Sequence, residues 1–128
     1  MRALLDTHAF LWSTADPDRL SEAARSFIED PANDVLLSAV TAWEVAIKYA
    51  NGRLDLPEPV ETFIASRVVD LGLQPLPVEI SHALRVAGLP RLHNDPFDRL
   101  LVAQAQLEKL PLLTSDPDVA RYDVEIIW

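Results

Sequence analysis

The sequence predicts a one-domain α/β protein with a mostly parallel sheet. Short apolar runs alternate with stretches whose apolar residues recur every three or four positions, the pattern of strands joined by amphipathic helices. The chain has 128 residues, the usual size of one domain, and 49% of them are hydrophobic, enough for one core. No internal repeat, low-complexity tract or linker interrupts it, so a single domain over 1–128 is expected.

The elements follow in chain order. Arg2 to Leu5, closed by Asp6-Thr7, reads as a buried strand, and so does Val35-Leu36-Leu37-Ser38. Helical periodicity covers Ser21 to Glu29 between them and Ala39 to Ala50 after them. Val60 to Leu71 is a further helix, and Leu73 to Val78 is an edge strand because Pro75 and Pro77 each remove a ladder donor. Helices over Ile80 to Ala87 and Phe97 to Leu110 lead to strands at Leu112-Leu113-Thr114 and Val124 to Ile127. Gly52, Gly72 and Gly88 each stand just past a helix, where a left-handed closing residue is wanted. With all three glycines so allocated, none is left for a phosphate-cradling loop, and the dinucleotide and nucleoside-triphosphate readings fall away.

Composition narrows the setting. There is no cysteine, so disulfides and thiolate chemistry are excluded, and a reducing, cytoplasmic location is expected. Asp6 and Asp16 interrupt the region where a signal peptide would need an unbroken apolar run, and no stretch reaches membrane-spanning length. Eleven basic against twenty acidic side chains give a formal charge of −9, which as a global field repels nucleic acid.

Where strands run parallel, loops from several of them converge beyond their carboxyl ends. Asp6 follows the first strand and Asp116 follows Leu112-Leu113-Thr114-Ser115, so two distant segments each deliver a carboxylate to one rim. Glu44, about two turns into the helix after Ser38, and Asp98, in the first turn after Asp95-Pro96, can lean over the same rim. Two unit charges about 4 Å apart cost roughly 4 kcal/mol at an effective dielectric near 20, so four such acids call for a cation. Oxygen donors select hard ions, magnesium or manganese; zinc is disfavoured because His8, His82 and His93 form no metal-ligand spacing. Such a site suits hydrolysis of phosphodiesters. No Gly-x-Ser-x-Gly turn is present for a serine nucleophile.

Each acid also has a plainer reading. Asp16, Asp30, Asp95 and Asp116 all precede proline, as helix-capping aspartates do, and capping is the expected role of Asp16 and Asp95. Glu44 stands four residues before Lys48, a stabilising helical pair. Asp98 could merely answer the helix dipole. Asp6 has the fewest local reasons to exist, although it could cap the segment from His8. Thr7, Ser38 and Thr114 are expected mainly to satisfy backbone groups, with orientation of water or carboxylate as a supporting role. Trp12, Trp43 and Trp128 are read as core or interface, and Lys48, Arg53, Arg91 and Arg99 as lining the approach of a phosphodiester substrate.

Taken together, Leu4-Leu5-Asp6-Thr7-His8, Ser38 with Trp43-Glu44-Val45, Asp95-Pro96-Phe97-Asp98-Arg99-Leu100-Leu101-Val102-Ala103-Gln104-Ala105 and Leu113-Thr114-Ser115-Asp116 resemble the PIN-domain VapC toxins. Lys48 and Gly52-Arg53-Leu54 match as well, and the resemblance runs the length of the chain. It implies a three-layer α/β/α sandwich and a magnesium- or manganese-dependent endoribonuclease. It further implies a homodimer and a VapB-type antitoxin that blocks the site, with DNA reached only through that antitoxin. The family's four acids map onto Asp6, Glu44, Asp98 and Asp116, leaving Asp95 as a cap or outer support. The rival is a non-catalytic module that binds an antitoxin in a repressor complex.

Overall fold

The computed structural model describes all 128 residues. Five strands form one sheet: β1 (Arg2–Leu5), β2 (Asp34–Ser38), β3 (Gln74–Leu76), β4 (Leu112–Leu113) and β5 (Ile126–Ile127). Their order is β3-β2-β1-β4-β5, and every pairing is parallel. Leu4 lies between Leu36 and Leu112 in register, so β1 is the central strand. The chain moves outward from β1 to β2 and β3, then returns to the other side for β4 and β5. The order therefore reverses between β1 and β4, and at such a point loops splay apart and leave a crevice.

Alternation along the strands divides the core between the two faces. Ala3, Leu5, Val35, Leu37 and Leu113 pack with Phe10, Ala24 and Phe63, whereas Leu4, Leu36 and Leu112 pack with Leu101, Val102 and Tyr122. One face is covered by α1 (Thr7–Ala15), α2 (Glu22–Glu29) and α4 (Val60–Asp70), the other by α6 (Pro96–Glu108), against which α5 (Ile80–Arg85) packs. This is the expected three-layer sandwich. α3 (Ala39–Ala50) starts directly at the end of β2 and packs against both α4 and α6. No helix is long and apolar enough to cross a membrane.

Several elements differ from the sequence reading. α1 escapes periodicity because Thr7 to Ala15 contains no charged residue after His8 and no clear polar face; its Ser13 and Thr14 hydroxyls donate back to the Phe10 and Leu11 carbonyls. Gly52 and Gly72 close their helices at φ +70° and +63°, as expected, but Gly88 has no positive φ and ends a 3₁₀ turn over Val86–Gly88. Lys109, at φ 55°, supplies the left-handed stop of α6 instead. Asp16 is not a side-chain cap: it sits between α1 and the turn Pro17–Arg19, and its carboxylate accepts no capping bond. Trp43 is 55% exposed, so of the two roles expected for it, core or interface, the core is ruled out.

Candidate active site at the carboxyl edge of the sheet

Because all strands are parallel, Asp6, Ser38 and the Thr114–Asp116 turn emerge on one edge. Asp6 is the N-cap of α1, its Oδ1 accepting from the Ala9 amide at 2.7 Å. Its other oxygen accepts from the Thr114 hydroxyl, which ties the ends of β1 and β4 together across the crevice. The same hydroxyl accepts from the Asp116 amide at 3.0 Å, placing Asp116 beside Asp6. A single threonine, 108 residues from Asp6 in the sequence, thus orders both acids. Burial pushes the Asp6 carboxyl up from its ordinary value, and Asp116 adds to this, against the opposing bonds from Thr114 and Ala9.

Glu44 is brought to the rim by α3, whose N-cap is Ser38: that hydroxyl accepts from Val40 N at 3.0 Å and donates to Gln104 Oε1 at 2.5 Å. Although only 3% exposed, Glu44 has a full set of partners. Thr7 donates to its Oε1 at 2.6 Å, and Lys48 Nζ meets its Oε2 at 2.5 Å. The lysine is a resident cation at one corner of the acidic rim.

Asp98 enters from α6. Asp95 caps this helix, its Oδ1 accepting from both the Phe97 and Asp98 amides, and Pro96 occupies the first turn. The role expected of Asp95 is therefore the observed one. The Asp98 carboxyl is pushed up to about 7, first by burial, then by the Asp95 charge, with smaller contributions from Asp116 and Glu44. One contact opposes the rise: His93 Nε2 lies 3.3 Å from Asp98 Oδ2, while Nδ1 is 2.7 Å from the Tyr122 hydroxyl. Sequence reasoning noticed His93 only as a failed zinc ligand. Its link to Asp98 depends on Tyr122, 29 residues away, and has no local signal.

Asp6, Glu44, Asp98 and Asp116 thus face one rim and feel one another's charge, yet no three carboxylates or imidazoles stand at metal-ligand spacing. The physical reason is visible in their partners. Glu44 is turned to Lys48 and Thr7, and Asp6 to Thr114 and Ala9, so that like charges are held apart. The donor set fits a hard divalent cation: these are oxygen ligands, and two of the acids are raised by crowding and burial that a cation would relieve. The Arg99 guanidinium donates to the Val86 and Pro90 carbonyls and the Tyr122 hydroxyl and so buttresses the start of α6.

Residues 3–125 match the family model of the PIN domain. The chain is 34% identical over 117 residues to ribonuclease VapC22 of Mycobacterium tuberculosis, covering 88% of this chain and 85% of that protein. It is 40% identical over 68 residues to ribonuclease VapC16 of the same organism, which spans 52% of this chain and only about half (48%) of that relative. Among solved structures, VapBC2 from Rickettsia felis, bound to a DNA fragment from its promoter, superposes with a TM-score of 0.71 at 12% identity, covering 98% of this chain and 97% of the other. VapBC-1 from nontypeable Haemophilus influenzae gives 0.67 at 16% identity, over 98% and 96% of the two chains. At these identities the structures speak for the fold alone.

Proposed function

Since the chain belongs to the PIN-domain family, in its VapC branch, we propose that it is a magnesium- or manganese-dependent endoribonuclease and the toxin of a toxin–antitoxin pair. One observation carries this reading. Asp6 and Asp116, at the ends of adjacent parallel strands, share the Thr114 hydroxyl at the point where strand order reverses, with Asp98 and Glu44 leaning in from two helices.

The four acids would hold the ion, and Thr7, Ser38, Asp95 and Thr114 would support them. When bound, a divalent ion lowers the pKa of a coordinated water and stabilises charge on the scissile phosphate. The chain's own residues do the rest. Thr114 fixes Asp6 and Asp116 relative to each other, so the pair is preorganised at one distance. The Asp95 cap sets the start of α6 and with it the position of Asp98. His93 faces the Asp98 oxygen that would otherwise be free to rotate. Lys48 neutralises Glu44 and, as a cation at this corner of the rim, would offer a donor to a substrate phosphate.

The partners follow the same logic. VapB-type antitoxins are the partners of VapC proteins, and a basic side chain from such an antitoxin would satisfy the acids in place of a metal. DNA would be met only through the antitoxin. A homodimer is supported by Ile80 and Leu84, four residues apart on α5 and 80% and 70% exposed, which leaves an apolar strip without cover. The 128 residues act as one domain, and the absence of cysteine suits a reducing cytoplasm. The test is cleavage of total cellular RNA by the purified protein: the proposal requires cleavage with magnesium or manganese and none in chelator. Equal cleavage in chelator refutes the metal mechanism. Antitoxin binding by a protein that cleaves no RNA would favour the non-catalytic module.

A further inference from the structure

A cavity of about 320 Å³ lies against the start of α6, lined by Arg91, His93, Asn94 and Arg99 over apolar Val86 and Leu89. Its setting is unusual for this chain. Acids outnumber bases by twenty to eleven, and a larger cavity at the opposite end of the sheet is rimmed by Glu29, Asp30, Asp34 and Asp70. The cavity beside α6 has two arginines and no carboxylate in its lining. It also adjoins the acidic rim, because His93 forms part of its wall and contacts Asp98 at 3.3 Å.

The two arginines differ. Arg99 is held by the Val86 and Pro90 carbonyls and the Tyr122 hydroxyl, so it fixes the wall. Arg91 is exposed and takes part in none of the molecule's ion pairs. An unpaired guanidinium on an acidic protein is a ready phosphate ligand, since its fork matches two phosphate oxygens. The volume stands at the low end for small-ligand sites, about 300–1,000 Å³, which admits one nucleotide and no folded helix. Apolar walls with a few polar groups suit an unstacked base whose edge is read by Asn94.

Resting on the ribonuclease reading, we infer that this cavity seats the unpaired nucleotide next to the scissile phosphate, with Arg91 on that nucleotide's phosphate. A polynucleotide placed with one phosphate at the acids and running past His93 meets this carboxylate-free surface next. The cavity is thus a specificity subsite: it requires a single-stranded nucleotide at the cut and counters locally the repulsion of the −9 chain.

The test uses a fluorescein-labelled single-stranded oligoribonucleotide of mixed sequence. Binding is read by anisotropy at several salt concentrations on an Asp98→Asn background, and turnover by the parent chain in magnesium. Arg91→Ala is expected to weaken binding about tenfold and to flatten the salt dependence by about 0.7 in log–log slope, the loss of one single-strand phosphate contact. Arg91→Lys should restore the slope. In turnover, Arg91→Ala should raise KM and leave kcat and the melting temperature near those of the parent. If Arg91→Ala binds with the parent's affinity and slope while the parent cleaves RNA, the subsite is overturned and the ribonuclease reading stands. If the parent neither binds nor cleaves RNA, both are overturned. If Arg91→Ala loses only antitoxin binding, the surface belongs to the protein partner and the nucleotide assignment fails.

Discussion

Replacing Asp98 by Asn should make the metal-free protein more stable while destroying its response to metal. The Asp98 carboxyl is pushed up to about 7 from an ordinary 3.8, first by burial and then by Asp95. Between those values the folded chain keeps a proton that the unfolded chain has lost, so stability falls as pH rises through that window and returns as pH drops. A shift of this size would be about 4 kcal/mol for a fully buried, isolated group. The Asp98 side chain is 17% exposed and shares its shift with neighbours, so screening brings the expected penalty to about 2 kcal/mol above pH 7. Asn carries no charge and can keep the contact with His93. In chelator at pH 8 the variant should therefore melt roughly 8 °C above the parent, at about 4 °C per kcal/mol for a domain near this length. From pH 4 to 7 its stability should decline less steeply than the parent's, the remaining decline coming from Asp6, whose carboxyl burial also pushes up. Magnesium at about 100 times its dissociation constant should add about 2.7 kcal/mol to the parent and much less to the variant. Circular-dichroism melts at pH 5 and pH 8, with chelator and with magnesium, measure all of this. If Asp98→Asn melts below the parent at pH 8 in chelator, Asp98 is a structural anchor and the crowding argument is wrong.

Asp6 separates two roles. Both Asp6→Asn and Asp6→Ala should abolish RNA cleavage, but only the alanine variant loses the α1 cap to Ala9, at a cost of about 1 kcal/mol in chelator melts; equal stability of the two would remove the cap from the account. For the proposed dimer, Ile80→Glu with Leu84→Glu should give a monomer by sedimentation with the fold retained, and an unchanged mass places the interface elsewhere. An antitoxin peptide with one arginine or lysine seated among the acids should bind at least tenfold more weakly after that residue becomes alanine, measured calorimetrically in chelator. An unaffected affinity would show that the antitoxin does not use the acids.

Much of the fold was legible because parallel strands buried on both faces appear as continuous apolar runs, as at Leu4-Leu5 and Leu36-Leu37. Once those strands are taken as parallel, Asp6 and Asp116 necessarily reach one edge. Glu44–Lys48 was legible too, since four residues on a helix form one local neighbourhood. What failed lacked local periodicity or depended on distant pairing. α1 is apolar on most sides, so no stripe marks it. The bond between Thr114 and Asp6 needs β1 and β4 side by side, which nothing in either segment announces. His93 against Asp98 and the arginine-rich cavity arise where the approach to α6 folds over Tyr122. Glycine's permissive backbone made Gly88 look like a helix stop, but the chain there tightened into a 3₁₀ turn, and Lys109 took the left-handed position at another helix.

The central claim is that the four acids, and not the similar aspartate beside them, make a metal-dependent ribonuclease. It is tested most directly by comparing parent, Asp98→Asn and Asp95→Asn for cleavage of cellular RNA in saturating manganese under single turnover. Asparagine caps a helix nearly as well as aspartate, so Asp95→Asn should retain cleavage within about tenfold of the parent. Asp98→Asn should lose at least about 100-fold, the scale expected when an electrostatic group of the active site is removed. The reverse order, or equal activity of all three, would contradict the assignment of Asp98 to the metal and of Asp95 to the helix.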